Sequence, residues 1–547
     1  MFRFSNILTL GAGLAFCAPA GFVRAQAPVA REVANAQAQI SAVAFKSHVQ
    51  YLADDRLQGR QAGTPGYQLA VDYVSGQLRK LGVQPAGDRG RFTQHVRLRR
   101  AFTEPGATLS GAGGSFTTGQ DVVFYPNPDQ PQVSVTAPLV FAGFGISAPE
   151  LGYDDYAGLD ARGKMVVVTR ADPRFLAGSE KLYATDLLTI LQAAAQHGAV
   201  GVLLAAPKPA AQLPNLSKGL VSVLGPDGRV AVSRSYVAGS VQVVGSVSAE
   251  TLQRLFAGAA LDTTRTLAAL RRGQPASQPL TGQVTATLRS RYQDVDSYNV
   301  VGKIPGSDAR LREEYVVHSA HLDHIGITAP VQGDSINNGA HDNATGVASV
   351  LEIAKAYASL KQKPKRSVLL VFMTGEELGL LGSAYFARFP PVPRAAIVAD
   401  INTDMPTIIA PLLSVVPLGA ENSSLETVVA SAASSLGLTV EADPEPAQHR
   451  FIRSDQYSFV TQGVPAVHVK YGNRTPDGKN NLSEQVQQWR ATYYHKPQDD
   501  INGTFDFAAG RKYAQLNFLI GYQVAQDPAR PTWKPGNFFG RRFGGGQ

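Results

Sequence analysis

The chain is predicted to fold as an α/β protein, with a mixed, mostly parallel central sheet flanked by helices and interrupted by an inserted β-rich domain. Three observations predict this. From YNVVGKIPG (298–306) onward, apolar strand-like runs alternate with loops and helical patterns, the signature of parallel strands joined by helical crossovers. Residues 133–289 instead carry short β-branched runs broken by turns. His321, Asp342, Glu376, Glu377, Asp404 and His495 lie where hydrophobic runs stop, the edge of an open sheet at which the loops diverge and leave a crevice.

In chain order, residues 1–25 read as a Sec-type signal peptide. Arg3 supplies the positive start, ILTLGAGLAFCAPAGF the short apolar region, and Val23 and Ala25 the small residues before cleavage at Gln26. This predicts an exported, periplasmic or secreted protein with no stable membrane insertion in its mature form. Cys17 is the sole cysteine and would leave with the signal, so the mature chain has no disulfide and no thiol nucleophile.

Residues 26–132 are expected to form the first part of a divided domain, completed by 290–529, to which the chemistry argued below is assigned. Within it, 45–82 shows amphipathic helical spacing interrupted by GRQAGTPG (59–66), with Gly82 as a C-cap. Residues 133–289 are expected to be a self-contained inserted domain holding GKMVVVTR, a helical LLTILQAAAQHGA and the strand VGVLLAA. Residues 290–529 form the second part of the divided domain and carry every ligand. The Pro-, Gly- and Arg-rich tail beyond Pro528 is expected to be an extended arm, assigned as 530–547.

Composition narrows the function. The chain has 547 residues, 44% hydrophobic and 17% charged, the balance of a globular protein. Its net charge of +8 is scattered apart from RLRR (97–100) and GRR (540–542). With no zinc-finger or helix-turn-helix pattern, nucleic acid is not an expected partner. The absence of G-x-S-x-G argues against a serine hydrolase.

The donors themselves follow from local pattern. In VVHSAHLDHIG, strand alternation puts His321 and Asp323 on one side and His318 and His324 on the other. Asp323 is then placed to accept the second imidazole N–H of His321, while His318 and His324 read as structural. Asp342 precedes the helical TGVASVLEIAKAYASL, and can bridge two metals while Asn343 caps that helix. Glu376 and Glu377 crowd two carboxylates into one turn, which cations would relieve. Each residue alone also fits a structural role; it is their combination that points to a two-metal hydrolase.

These motifs carry a resemblance. AHLDHIG (320–326), NGAHDNATG (338–346), TGEELGLLGSAYF (374–386), INTDM (401–405) and YYHKPQDD (493–500) occur in the order found in the co-catalytic dizinc exopeptidases, a family that includes secreted bacterial aminopeptidases and glutamate carboxypeptidase. DDRLQGRQAGTPG (54–66), RSDQYSFVTQGVPA (453–466) and WKPGNFF (533–539) extend the likeness, and 140–168 resembles a protease-associated domain. The resemblance implies the zinc exopeptidase fold and two Zn2+ per chain, one held by His321, Asp342 and Asp404, the other by Glu377, Asp342 and His495. It implies Glu376 as general base, Asp323 as orienter, Tyr494 as oxyanion donor, and Arg453 and Asp455 at the substrate pocket. Two departures stand out, His341 where an acidic residue is common and Pro406 after INTDM. The implied activity is removal of N-terminal residues from peptide substrates. The alternatives are a carboxypeptidase or dipeptidase, a glutaminyl-cyclase-like acyltransferase, and a receptor-like relative. The complete ligand set argues against the last two.

Overall fold

The computed structural model describes residues 31–546 except 113, 207, 209, 210, 258 and 260. The expected signal peptide, with Cys17, lies outside the described residues.

The run SVLLVFM shows why the central sheet is buried on both faces. Val368, Leu370 and Phe372 point into one apolar core, and Leu369, Val371 and Met373 into the other. Strand Ser367–Met373 pairs in parallel with Tyr315–His321, which pairs in parallel with Ile397–Asn402, and that strand with Ala466–Tyr471. Antiparallel strands close both sides: Ser414–Leu418 on Ala466–Tyr471, and the end of the long strand Gln278–Ile304 on Ser367–Met373. Helices Ala42–Leu52, Thr345–Ser359 and Phe507–Gln526 cover one face. The short helices Leu381–Arg388 and Gln456–Val460 cover the other. The mixed, mostly parallel sheet expected from the sequence is present.

The N-terminal helices break where the sequence turns. Helix Pro65–Lys80 starts on the Thr64 cap and stops at Gly82, whose positive φ of 72° ends it in a left-handed turn.

The strand Gln278–Ile304, 27 residues long, links the two layers. Its first half pairs with Gln132–Phe141 and Thr108–Gly111, its second with Thr93–Thr103. Beyond it lies a second sheet whose parallel strands Gln132–Phe141, Met165–Thr169, Gly201–Ala205 and Val243–Val247 enclose cores of their own. Those cores begin at Ala107, ahead of the composition change at 133. The stretch is also not self-contained, contrary to the expectation. Strand Leu220–Leu224 leaves it to pair with Thr93–Thr103, and Val223 packs on Leu381 and Tyr385. The open edge of Thr93–Thr103 needs a partner for its backbone groups, and this strand supplies one.

The tail also differs from expectation. Trp533 donates its indole N–H to the Gly463 carbonyl at 2.9 Å, and Phe538 and Phe539 are buried beside Phe451 and Tyr457 in the core. Four aromatic residues in WKPGNFFGRRF outweigh the extended character suggested by its Gly and Pro content.

Candidate metal centre

The donors gather at the carboxyl edge of the parallel strands. His321 is the last residue of Tyr315–His321, Glu376 and Glu377 sit in the turn after Ser367–Met373, and Asp404 lies just past Ile397–Asn402. Asp342 comes from the turn before helix Thr345–Ser359, and His495 from the turn after helix Leu482–Tyr493. His321 Nε2 stands 3.3 Å from Asp342 Oδ1 and 3.5 Å from Asp404 Oδ1. His495 Nε2 stands 3.3 Å from Asp342 Oδ2 and 3.2 Å from Glu377 Oε2. Asp342 thus faces one donor set with each carboxylate oxygen.

These neighbours are close without being well-formed hydrogen bonds. His495 Nε2 is buried and has no hydrogen-bond partner despite the two carboxylates beside it. Ring and carboxylates therefore face a common space rather than one another, which fits donors arranged around a cation.

The electrostatics agree. Burial would lower His495, yet the adjoining Asp342 and Glu377 raise it to about 10. Burial would raise Asp342, yet His321 and His495 hold it well below the usual carboxylate range. Asp404 is lowered against burial by Lys470 and His321. Glu376 is the exception. Burial, opposed by His321 but reinforced by Asp404 and Glu377, holds its carboxyl well above the usual range. So many carboxylates at one edge require positive charge there, which protons or metal cations can supply.

The surrounding shell corrects the sequence reading in three places. His321 Nδ1 is 3.1 Å from the backbone carbonyl of Asp323, not its carboxylate. That carboxylate instead accepts the backbone N–H groups of Glu376 and Glu377, at 3.1 and 3.4 Å, and so positions the turn carrying both glutamates. His324 was expected on the far face, but the strand ends at His321 and its alternation ends too. The His324 ring swings back to place Nδ1 2.7 Å from Glu377 Oε1. Asp455, expected with Arg453 at the substrate pocket, is fully buried and does not reach the cavity, because the neighbouring Ser454 and Gln456 turn the chain inward to bond Asn402.

Other residues complete the shell, and for Asp499 and Arg60 the sequence assigned no role. Asp499 accepts the backbone N–H groups of His341 and Asp342 at 2.9 and 3.1 Å, and so holds the bridging loop. Asn343 accepts from Gly346 at 3.0 Å, the cap expected of it. It also joins the loop after Asp404 by accepting from Met405 at 3.0 Å and donating to Thr403 at 2.9 Å. Arg60 is wholly buried and donates only to carbonyls: Leu322 and Gly339 at 3.1 Å, with Leu52 and Asn338 beside them. One guanidinium thus braces the loops after His321 and before Asp342. Burial lowers it to about 10, while Asp342 and Asp499 nearby favour its charge. His341 stacks on Phe505 at 4.2 Å, and burial lowers it to about 4, so this departure from the family pattern brings no charge to the bridge.

A cavity of about 150 Å³ opens beside the donors, lined by Glu376, Arg450, Arg453, Leu482, Arg490 and Tyr494 among others. The Tyr494 ring stacks on His495 at 3.8 Å, and the Arg490 guanidinium lies 3.8 Å from the other ring contact, the Tyr494 centroid. Such a cavity, with overlapping His/carboxylate sets at its inner end, is a metallohydrolase layout.

Residues 299–516 match the model of peptidase family M28. The protein is a metallo-exopeptidase. Among curated relatives, a probable lipoprotein aminopeptidase of Mycobacterium tuberculosis, LpqL, is 26% identical over 93% of this chain and 90% of its own length. Leupeptin-inactivating enzyme 1 of Streptomyces exfoliatus is 26% identical over 45% of this chain, which spans 53% of that relative. Among solved structures, an aminopeptidase from Aneurinibacillus sp. strain AM-1 aligns at TM-score 0.47 and 19% identity, covering 91% of this chain and 97% of that one.

Proposed function

We propose that the protein is an exported aminopeptidase that uses two zinc ions to remove N-terminal residues from peptides. The observation that carries the two-metal reading is Asp342, whose Oδ1 and Oδ2 each lie 3.3 Å from a different ligand histidine. His321, Asp342 and Asp404 would hold one ion, and Asp342, Glu377 and His495 the other. When bound, the ions supply Lewis acidity, polarising the scissile carbonyl and easing loss of a proton from the attacking water.

The chain's own residues do the rest. Glu376, the glutamate in this turn not assigned to a metal, takes the proton of the attacking water and returns it to the leaving amine. Tyr494, kept in place between His495 and Arg490, donates its phenol O–H to the developing oxyanion. Asp323 and His324 position the two glutamates. The substrate's free ammonium group sits against the carboxylates at the inner end of the cavity, and the cavity's small volume suits a single terminal residue. The aminopeptidase name of the mycobacterial relative, which aligns over nearly the whole chain, supports this polarity.

The layer built around 133–289 is proposed to be a protease-associated domain restricting access to chain ends, and residues 1–25 the signal that directs export. Among the described residues no helix is long and apolar enough to cross a membrane. The test is hydrolysis of one peptide with a free or acetylated N-terminus, before and after chelation and zinc add-back. Zinc-restored release of the first residue from the free peptide alone is expected. Cleavage of both forms from the C-terminal end would replace the reading with a carboxypeptidase.

A further inference from the structure

The substrate cavity has two electrical ends. Its inner end carries Asp342, Glu376 and Asp404, while Arg450, Arg453, Lys470 and Arg490 line the rest. Two of these cations are already matched. Arg450 pairs with Asp443 and Glu445, and Lys470 donates to the Asp404 and Met405 carbonyls at 2.6 and 3.2 Å. The other two are not. Among the described residues Arg453 makes no ion pair. Arg490 meets only the Met405 sulfur, at 3.6 Å, and the Tyr494 ring. Arg490 stands on the cavity-facing stripe Leu482, Val486, Arg490 of helix Leu482–Tyr493, so its guanidinium is held at the wall by four-residue helical spacing. Glu445 does not neutralise the wall, being taken up by Arg450 and Gln448.

Arginine is suited to this task, because its planar fork binds a carboxylate through paired, charge-assisted hydrogen bonds. We propose that Arg453 and Arg490 form a carboxylate-recognition subsite, so that the enzyme selects peptides presenting a carboxylate on the cavity side of the scissile bond. An acidic N-terminal residue matches both ends of the cavity, its ammonium against the inner carboxylates and its side chain against the two guanidinium groups. The free C-terminus of a very short peptide offers the same chemistry. The inference rests on the aminopeptidase reading, and the experiment separates the two.

The substrates are the 4-nitroanilides of Glu, Gln and Leu, which lack an α-carboxylate, together with Ala-Ala and its C-terminal amide. The wild type is expected to prefer Glu over its neutral isostere Gln by about tenfold or more in kcat/KM, the scale of a charged hydrogen bond. Arg453→Gln and Arg490→Gln are each expected to reduce that ratio, and the double variant to bring it to about one. Zinc content and thermal midpoint are measured alongside, so that lost preference is not mistaken for lost fold. A preference for Ala-Ala over its amide, with no Glu preference among the anilides, would keep the subsite and assign it to the C-terminal carboxylate. Equal rates for Glu and Gln and for acid and amide in the wild type would overturn the subsite. Cleavage of acetylated peptides with no anilide hydrolysis would instead overturn the aminopeptidase reading, and an acetylated peptide with its C-terminus amidated would then test the subsite directly.

Discussion

In the inserted layer, strands Met165–Thr169, Gly201–Ala205 and Val243–Val247 are buried along their whole length, as are Tyr315–His321, Ser367–Met373 and Ile397–Asn402 in the metal-site layer. Both sets are parallel and rich in Val and Leu, and both bury both faces. They part at their carboxyl ends. One set runs into His321, Glu376, Glu377 and Asp404, the other into Arg170, Ala206 and Ser248. Among the described residues, both groups of three or more metal-capable side chains lie in the metal-site layer. A parallel sheet supplies a crevice wherever it forms, and the loop residues decide whether chemistry occurs there.

Both layers also contain a buried polar hub that holds loops in place. In the metal-site layer it is Arg60, donating to four carbonyls. In the inserted layer it is Asp155, accepting from the backbone of Phe144 and Ile146 at 2.9 and 3.1 Å and from the Tyr153 hydroxyl at 2.7 Å. Only the first braces loops that carry candidate metal donors.

The largest expected effect breaks the chemistry alone. Glu376→Gln should lower kcat by about 10²–10⁴-fold while zinc content measured by mass spectrometry stays at the wild-type value. Full turnover in that variant would remove Glu376 as the base. Next, Arg60→Met leaves buried carbonyls without their donor and should destabilise the fold by about 3 kcal/mol in chemical denaturation, with reduced zinc content. Asp155→Ala strips three donors of their acceptor and should cost about 2 kcal/mol with zinc content unchanged. If Asp155→Ala also emptied the metal site, the two layers would not be functionally separate.

A further effect is a pH slope. Burial depresses His318 to about 3, so it stays neutral in the fold but titrates near 6.5 when unfolded. Between about pH 6.5 and 3 the unfolded chain binds the extra proton, and stability falls as pH falls. His318→Leu should flatten that part of the melting profile, and an unchanged slope would count against a buried neutral imidazole.

How much of this was legible in the sequence differs between donors and shell. Runs such as SVLLVFM and EYVVHSA specify strands buried on both faces, and the residue ending each run is necessarily at the sheet's edge. Their order and spacing therefore predicted the α/β class and the candidate ligand set. The partners of His321 and His324 were not legible, because strand alternation ceases where the chain leaves the sheet and a loop's path is set by what it packs against. Arg60 shows the same limit. Its carbonyl partners Leu322, Asn338 and Gly339 are more than 260 residues away, beyond the entire inserted layer, and no local pattern records such a contact.

By itself, then, the sequence determined the period of each strand, the chemistry of each donor and the edge where the donors would meet, since these depend on hydrophobic pattern and residue type along a few consecutive positions. Only the tertiary structure decided which oxygen of Asp342 faces which histidine, that Asp455 turns inward, that the aromatic tail packs into the core, and that Arg453 and Arg490 line one cavity with no ion-pair partner among the described residues. Those outcomes depend on distant segments competing for the same buried space and the same hydrogen bonds, and that competition is resolved only when the whole chain has folded.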